Sequence, residues 1–227
     1  MNRYNVITPI AIALTFGSGA MDVASFTRLG GVFTSVVTGN IVLTGLAIAR
    51  GSVSLLLHTL CMFGGYVVGV VAATRIGWYH SSGAPSPEKA SWAPHVRMVL
   101  SLELALLCGV AAGWFASDGR PLGLLQFALL ALAAAAMGVQ GAAVDQMGLK
   151  GVGTTYLTGT LTGLVASLSR PGGGRAGVIR PGVLLGLLAG ALLSGLLVLT
   201  VPVLVPVLPV GAMVTVLVLG ATRESVG

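Results

Sequence analysis

GGVFTSVVTGNIVLTGLAIAR, residues Gly30–Arg50, is apolar almost throughout, yet Thr38-Gly39-Asn40 stands where an unbroken membrane helix would hold leucine. A second version follows as Lys150–Ser169, KGVGTTYLTGTLTGLVASLS. Thr34 falls on Thr154, Thr38-Gly39 on Thr158-Gly159 and Asn40 on Thr160. One Thr-Gly interruption is ordinary close packing, with hydroxyls bonded back to the preceding turn. Two in register point to paired, broken membrane segments.

The surrounding composition fits that reading. Charged residues make up 8% of the 227, against about 25% in soluble domains. Six runs have the length and apolarity of a spanning helix: Val6–Phe26, Val53–Ala73, Met98–Ala116, Leu122–Val144, Gly182–Thr200 and Val201–Ala221. A cleaved signal peptide would account for the first run and none of the others. The chain therefore reads as an all-α polytopic membrane protein, a single membrane domain over residues 1–227. Net charge is +6, with the cations in loops and tails; that is topology signalling and not a nucleic-acid surface. Cys61 and Cys108 lie in apolar runs without a CxxC or Cys/His spacing, so neither a cofactor nor a metal is expected.

Similarity between the halves extends past the interrupted segments. Met21-Asp22-Val23-Ala24 aligns with Val139-Gln140-Gly141-Ala142 at a spacing of 118, and Gly65 and Gly69 align with Gly186 and Gly190 at 121. A nearly constant spacing over three elements marks an internal duplication, with repeat one at 1–116 and repeat two at 121–222. If the Thr-Gly segments cross fully, there are eight crossings and parallel halves, and Lys and Arg divide 7 to 5 across the membrane. If they do not, six crossings make the halves inverted and the division becomes 9 to 3. The stronger bias favours six full helices plus two interrupted or re-entrant segments in a 3+3 inverted repeat, both termini cytoplasmic. Gly31–Ala49 alone would still pass as a marginal span.

A half-helix over Asn40–Ala49 would reach about 15 Å, half of a 30 Å hydrocarbon core. Its amino terminus, capped by Thr38 or Asn40, would sit near the midplane, with Thr158 or Thr160 doing the same in the second copy. Breaks in corresponding positions of inverted halves are a pointer to a transporter site. The expected substrate-binding residues are accordingly Asp22, Thr38, Gly39, Asn40, Gln140, Thr158, Gly159 and Thr160. Asp22 would handle a proton or cation, or else anchor the following loop; Gln140 would be its neutral partner, or else bridge two helices. Glu103 and His58, near the ends of their runs, are expected at the membrane interface, and Asp145 in a loop.

The run GAMDVASFTRLGGVFTSVVTGNIVLTG resembles the amino-terminal signature of the YoaK-type (UPF0700) integral membrane proteins, in Gly19, Asp22, Leu29-Gly30-Gly31-Val32-Phe33 and Thr38-Gly39-Asn40. Gly138-Val139-Gln140 and Thr154-Thr155-Tyr156-Leu157-Thr158-Gly159-Thr160 resemble the family's second hallmark, with Val139 inserted between the Gly and the Gln. The resemblance implies a bacterial inner-membrane protein of about six spans and names no substrate.

The function expected is a small secondary transporter or facilitative channel for a small polar solute, with the bilayer as surroundings and no nucleic-acid partner. The alternatives are a scaffold, homodimerising through Gly64, Gly65, Gly69, Gly186, Gly190 and Gly195, and an intramembrane enzyme using Asp22 and Asp145 as paired carboxylates. The enzyme reading is the weakest, since the chain has no HExxH, nucleophile elbow or Cys/His pair.

Overall fold

In lipid every backbone polar group must be satisfied within the segment, so apolar runs of this length fold as helices. The computed structural model describes residues 3–80, 94–147, 157–168 and 176–224, all of it helices and their connections. The helices are α1 Arg3–Arg28, α2 Val37–Ala49, α3 Val53–His80, α4 Pro94–Ala116, α5 Gly123–Gln146, α6 Leu157–Leu168, α7 Ala176–Thr200 and α8 Val207–Glu224. Six of them contain stretches long and apolar enough to span: Thr8–Arg28, Val53–Tyr79, Pro94–Ala116, Gly123–Gln146, Pro181–Thr200 and Pro202–Thr222. These are the six runs expected, and the chain is a multi-pass membrane protein. α2 has 13 residues and reaches about 20 Å, too short to cross.

α1 and α5 form the centre. Of their spanning stretches 67% and 72% is buried, against 22% for α3. The outer helices turn large apolar side chains outwards, among them Val67, Val68, Leu188, Leu192 and Leu199, as lipid contact requires. The contacts between helices are made by small residues. α1 packs chiefly on α7 and α3 on α5, and in both couples backbones touch. A Cβ on Gly190 would strike the Phe16 carbonyl, and one on Gly19 the Leu187 carbonyl. Equivalent clashes meet Gly69 at Ala135 and Gly138 at Tyr66. Gly65, Gly69, Gly186 and Gly190 thus pack inside this chain and are not free to hold a second copy; Gly64 alone of the six has nothing within 4 Å.

Side-chain contacts fix the helix directions. Gln140 on α5 bonds to Ser18 and Leu14, while Gln126, near the start of α5, donates to the Arg28 carbonyl at the end of α1. Hence α5 runs antiparallel to α1. Ser194 donates to the Ala20 carbonyl and Arg28 to the Val198 carbonyl, so α7 runs parallel to α1. Cys61 reaches the Phe127 carbonyl and Gln146 the Ala73 carbonyl, so α3 runs parallel to α5.

The prolines of the last span lie at its entrance. Pro202 opens a 3₁₀ turn, Pro202–Leu204, and Pro209 sits in the first turn of α8, where a missing N–H costs little. That turn is tied to α4 by Trp114, whose Nε1 donates to the Pro202 carbonyl at 2.8 Å.

Candidate functional site

The irregular stretch between α1 and α2 is built around Asp22. Its Oδ1 accepts from the Thr34 and Ser35 amides, both at 2.8 Å, and from Thr34 Oγ1 at 3.0 Å. Its Oδ2 accepts from Ser35 Oγ at 2.5 Å. Asp22 lies six residues before Arg28, about 9 Å inside the end of α1. After Leu29 the chain therefore turns back alongside α1 before α2 begins. Gly30 and Gly31, at φ +100° and +75°, make that reversal, with Gly30 pressed on the His58 ring. Leu29 and Val32 are fully buried, and Phe33 stacks on Phe26 with centroids 4.9 Å apart.

α2 starts three residues earlier than the expected Asn40, and neither Thr38 nor Asn40 caps it. The residue preceding the helix is Val36, which makes no side-chain cap bond. The carboxylate already holds the two amides just upstream, which leaves the helix free to begin at Val37. Thr38 is exposed in the first turn beside Gly39. Asn40 is buried and reaches backwards: Oδ1 accepts from the Phe33 amide at 3.0 Å and Nδ2 donates to the Phe33 carbonyl at 2.6 Å. Asp22 and Asn40 thus grip the same loop from its two sides.

In the second copy, Thr158 and Gly159 lie in the first turn of α6, and Gly159 is exposed. Thr160 is buried at 2% exposure, and its hydroxyl has no partner among the described residues. Thr154 and Lys150 lie outside the described residues. Gln140 bridges helices: Oε1 accepts from Ser18 Oγ at 2.9 Å and Nε2 donates to the Leu14 carbonyl at 3.0 Å. Ser18 stands four residues before Asp22, so the two polar clusters follow each other along α1, about one turn apart. Each has its own partners, and no hydrogen bond joins them among the described residues.

Asp145 is exposed in the last turn of α5, not in a loop. It stands 19 residues beyond Gln126, about 28 Å towards the opposite end of the bundle from Arg28. Asp22 and Asp145 therefore form no carboxylate pair. Among the described residues no three His, Cys, Asp or Glu side chains gather to hold a metal.

Two residues expected at the interface are buried within the protein. His58 is buried, stacked on Phe127, with Nδ1 at 2.7 Å from the Ser54 carbonyl and Nε2 at 3.2 Å from Gln126 Oε1. Glu103 is 2% exposed and borders a cavity of about 10 Å³ lined also by Gln140, Leu14 and Gly17 of the central helices and Pro209, Ala212 and Met213 of α8. Its Oε2 has no hydrogen-bond partner among the described residues. The available signal was Pro94: proline favours the first helical turn, and starting the helix there places Glu103 nine residues in.

A family model described as "Protein of unknown function (DUF1275)" matches residues 10–220. The chain belongs to the DUF1275 family. A relative from Bacillus subtilis (strain 168), the UPF0700 transmembrane protein YoaK, is 33% identical over 156 residues, 69% of this chain. That match spans 64% of the relative's length. No solved structure matches this DUF1275 protein.

Proposed function

We propose that this chain is a small secondary transporter or facilitative channel for a small polar solute, built from two inverted copies of one unit in a bacterial inner membrane. The observation that carries the reading is the antiparallel course of α1 and α5 together with the matched glycine contacts. Add 121 to the α3 member and subtract 119 from the α5 member, and Gly69–Ala135 becomes Gly190–Phe16. The same operation turns Tyr66–Gly138 into Leu187–Gly19, and Gly65–Ala131 into Gly186–Ile12. Unrelated apolar helices have no reason to repeat three backbone contacts this way. The contacts also refine the register from 118 to 119, which pairs Gln140 with Met21 and Gly141 with Asp22.

Further support comes from charge. With six crossings, the side holding both termini carries nine Lys and Arg and the other side three, the bias of a cytoplasmic amino and carboxyl terminus. On this reading α2 and α6 are the broken elements, and the solute binds where they begin, by Thr38, Gly39 and Asn40 and by Thr158, Gly159 and Thr160. Asp22 and Gln140 hold the walls of that site. Asp22, with four donors, fits the anchoring role better than the titrating one.

The test is uptake by the purified chain in liposomes, screened with small polar solutes of positive, negative and zero charge. Wild type should accumulate at least one of them. Normal transport by an Asp22→Asn, Gly39→Leu double variant would remove the site assignment. One observation favours a second reading, a non-transporting scaffold: the cavity beside Gln140 has room for about one water and does not include Asp22. Folded, monodisperse protein that moves no solute in the screen would decide for the scaffold.

A further inference from the structure

We propose that Glu103 is a proton-binding site, a neutral carboxylic acid at the centre of the bundle that exchanges its proton when α8 parts from α1; as a coupling site it rests on the transporter reading. Glu103 borders a cavity shared with Gly17 and Ala212, which stand nine and ten residues inside the Thr8–Arg28 and Pro202–Thr222 stretches, about 14–15 Å from their starts. It is 2% exposed and its Oε2 has no partner among the described residues. An unpaired carboxylate in such surroundings is far costlier than a neutral acid, and a group so placed sheds its charge.

Among the described residues, none that lines its cavity supplies a countercharge. No charged or titratable side chain from α1, α3, α5 or α8 lines its cavity. On α1, Asp22 is turned to Thr34 and Ser35; on α3, His58 and Cys61 bond to Ser54, Gln126 and Phe127. The charged residues of α8, Arg223 and Glu224, are at its far end. The Gln140 amide is committed to Ser18 and Leu14. The remaining walls are aliphatic or thioether, so a metal cation would find too few oxygens to replace its water. A proton needs only the carboxylate.

A groove borders the cavity and marks where water would enter as the helices part. Between α1 and α8 lies an open groove of about 620 Å³, and Ala13 and Ala212 line both it and the Glu103 cavity. Two alanine side chains therefore form part of the shared wall. The chemistry is a proton transfer alone: the carboxylate takes H⁺ from water reaching it on one side and returns it to water on the other. α8 carries no acid before Glu224, so this single group would serve both directions.

The full-length chain in liposomes gives two readouts. Infrared spectra at neutral pH should show a protonated-carboxyl C=O band that is lost in Glu103→Gln and kept, at shifted frequency, in Glu103→Asp. A band missing from wild type, or surviving in Glu103→Gln, overturns the proposal; so does a band that sodium chloride abolishes at constant pH, which would mark a cation site. Entrapped pyranine should report internal acidification when a transported solute of the screen is added to wild type, and none with Glu103→Gln. Uptake without proton movement in wild type overturns the proposal and leaves the transporter standing. An infrared band with no uptake of any solute overturns both the coupling role and the transporter.

Discussion

Removing the Asp22 carboxylate should open the loop before α2 and leave the rest of the bundle folded. Four donors converge on it, two of them backbone amides, and Thr34 and Ser35 are essentially buried. Hydrogen bonds to a charged acceptor contribute about 1.5–3 kcal/mol each, and a buried amide left unpaired costs about 1–3 kcal/mol. These terms are not additive, and breaking a buried charged network by removing one member typically costs about 3–5 kcal/mol. We expect that range for Asp22→Ala. Asp22→Asn keeps one acceptor oxygen for both amides, and the Ser35 hydroxyl can rotate to accept from the new NH₂, so its cost should be about 1–2 kcal/mol. At 1.4 kcal/mol per tenfold, the Thr34 and Ser35 amides should exchange with deuterium about 10²–10³ times faster in Asp22→Ala and roughly tenfold faster in Asp22→Asn. Hydrogen exchange on protein in lipid nanodiscs reads this directly, with amides of α5 as the internal reference. Unchanged exchange in Asp22→Ala, or an Asn variant as damaging as the Ala variant, would refute the anchor.

Gly69→Leu and Gly190→Leu should each abolish the monodisperse peak on size exclusion, since the new side chain meets a backbone carbonyl across the couple, whereas Gly64→Leu should run as wild type. Gly30→Ala should lower thermal stability through its φ of +100° and the clash with His58, and adding His58→Ala should restore only the part due to the clash, about half or less of the loss given the left-handed backbone strain of roughly 1–2 kcal/mol. Gln140→Leu removes the bonds to Ser18 and Leu14 but leaves the Leu14 carbonyl its Ser18 donor, so it should cost only about 0.5–1.5 kcal/mol, read as a small fall in melting temperature. Single cysteines at Ser52 and Ser117, in a background without Cys61 and Cys108, should label from the side opposite a carboxyl-terminal tag; labelling from the same side would mean eight crossings.

Long-range order was legible in the sequence because membrane length and glycine spacing leave few choices. Six runs of sufficient length gave six spans, and Gly65, Gly69, Gly186 and Gly190, read as marks of a duplication and as a dimerising face, turned out to mark the backbone contacts. The polar chemistry was less legible, because a side chain's role depends on what folds over it. Asp22 read equally as a proton- or cation-handling group and as an anchor for the following loop. Its four donors come from residues twelve and thirteen positions later, and no helical periodicity predicts a loop that doubles back. Asn40 looked like a cap for the same reason. Glu103 lies near the start of the run at Met98, and only its neighbours Gly17 and Ala212, far inside the Thr8–Arg28 and Pro202–Thr222 stretches, show that it is enclosed.

The glycine contacts also constrain where this bundle can move. α1 with α7, and α3 with α5, are joined backbone to backbone, and a couple in such contact slides only by lifting a carbonyl off a glycine. The short helices follow their hosts, α2 on α3 and α6 on α7. The close contacts thus define two couples, α1 with α7 and α3 with α5, and polar residues lie along the seam between them. Asp22 of α1 holds the loop that leads to α2; Gln140 of α5 holds Ser18 and Leu14 of α1; Glu103 of α4 faces α1 and α8. Hydrogen bonds across that seam can be exchanged for water as it opens, whereas the glycine contacts have no such substitute. A transporter of this build would therefore alternate by parting the α1–α7 couple from the α3–α5 couple. A short thiol crosslinker joining Ser18→Cys to Gln140→Cys across the seam should stop uptake, while one joining Ala20→Cys to Ser194→Cys within a couple should not. Equal inhibition by the two would mean that the couples themselves come apart.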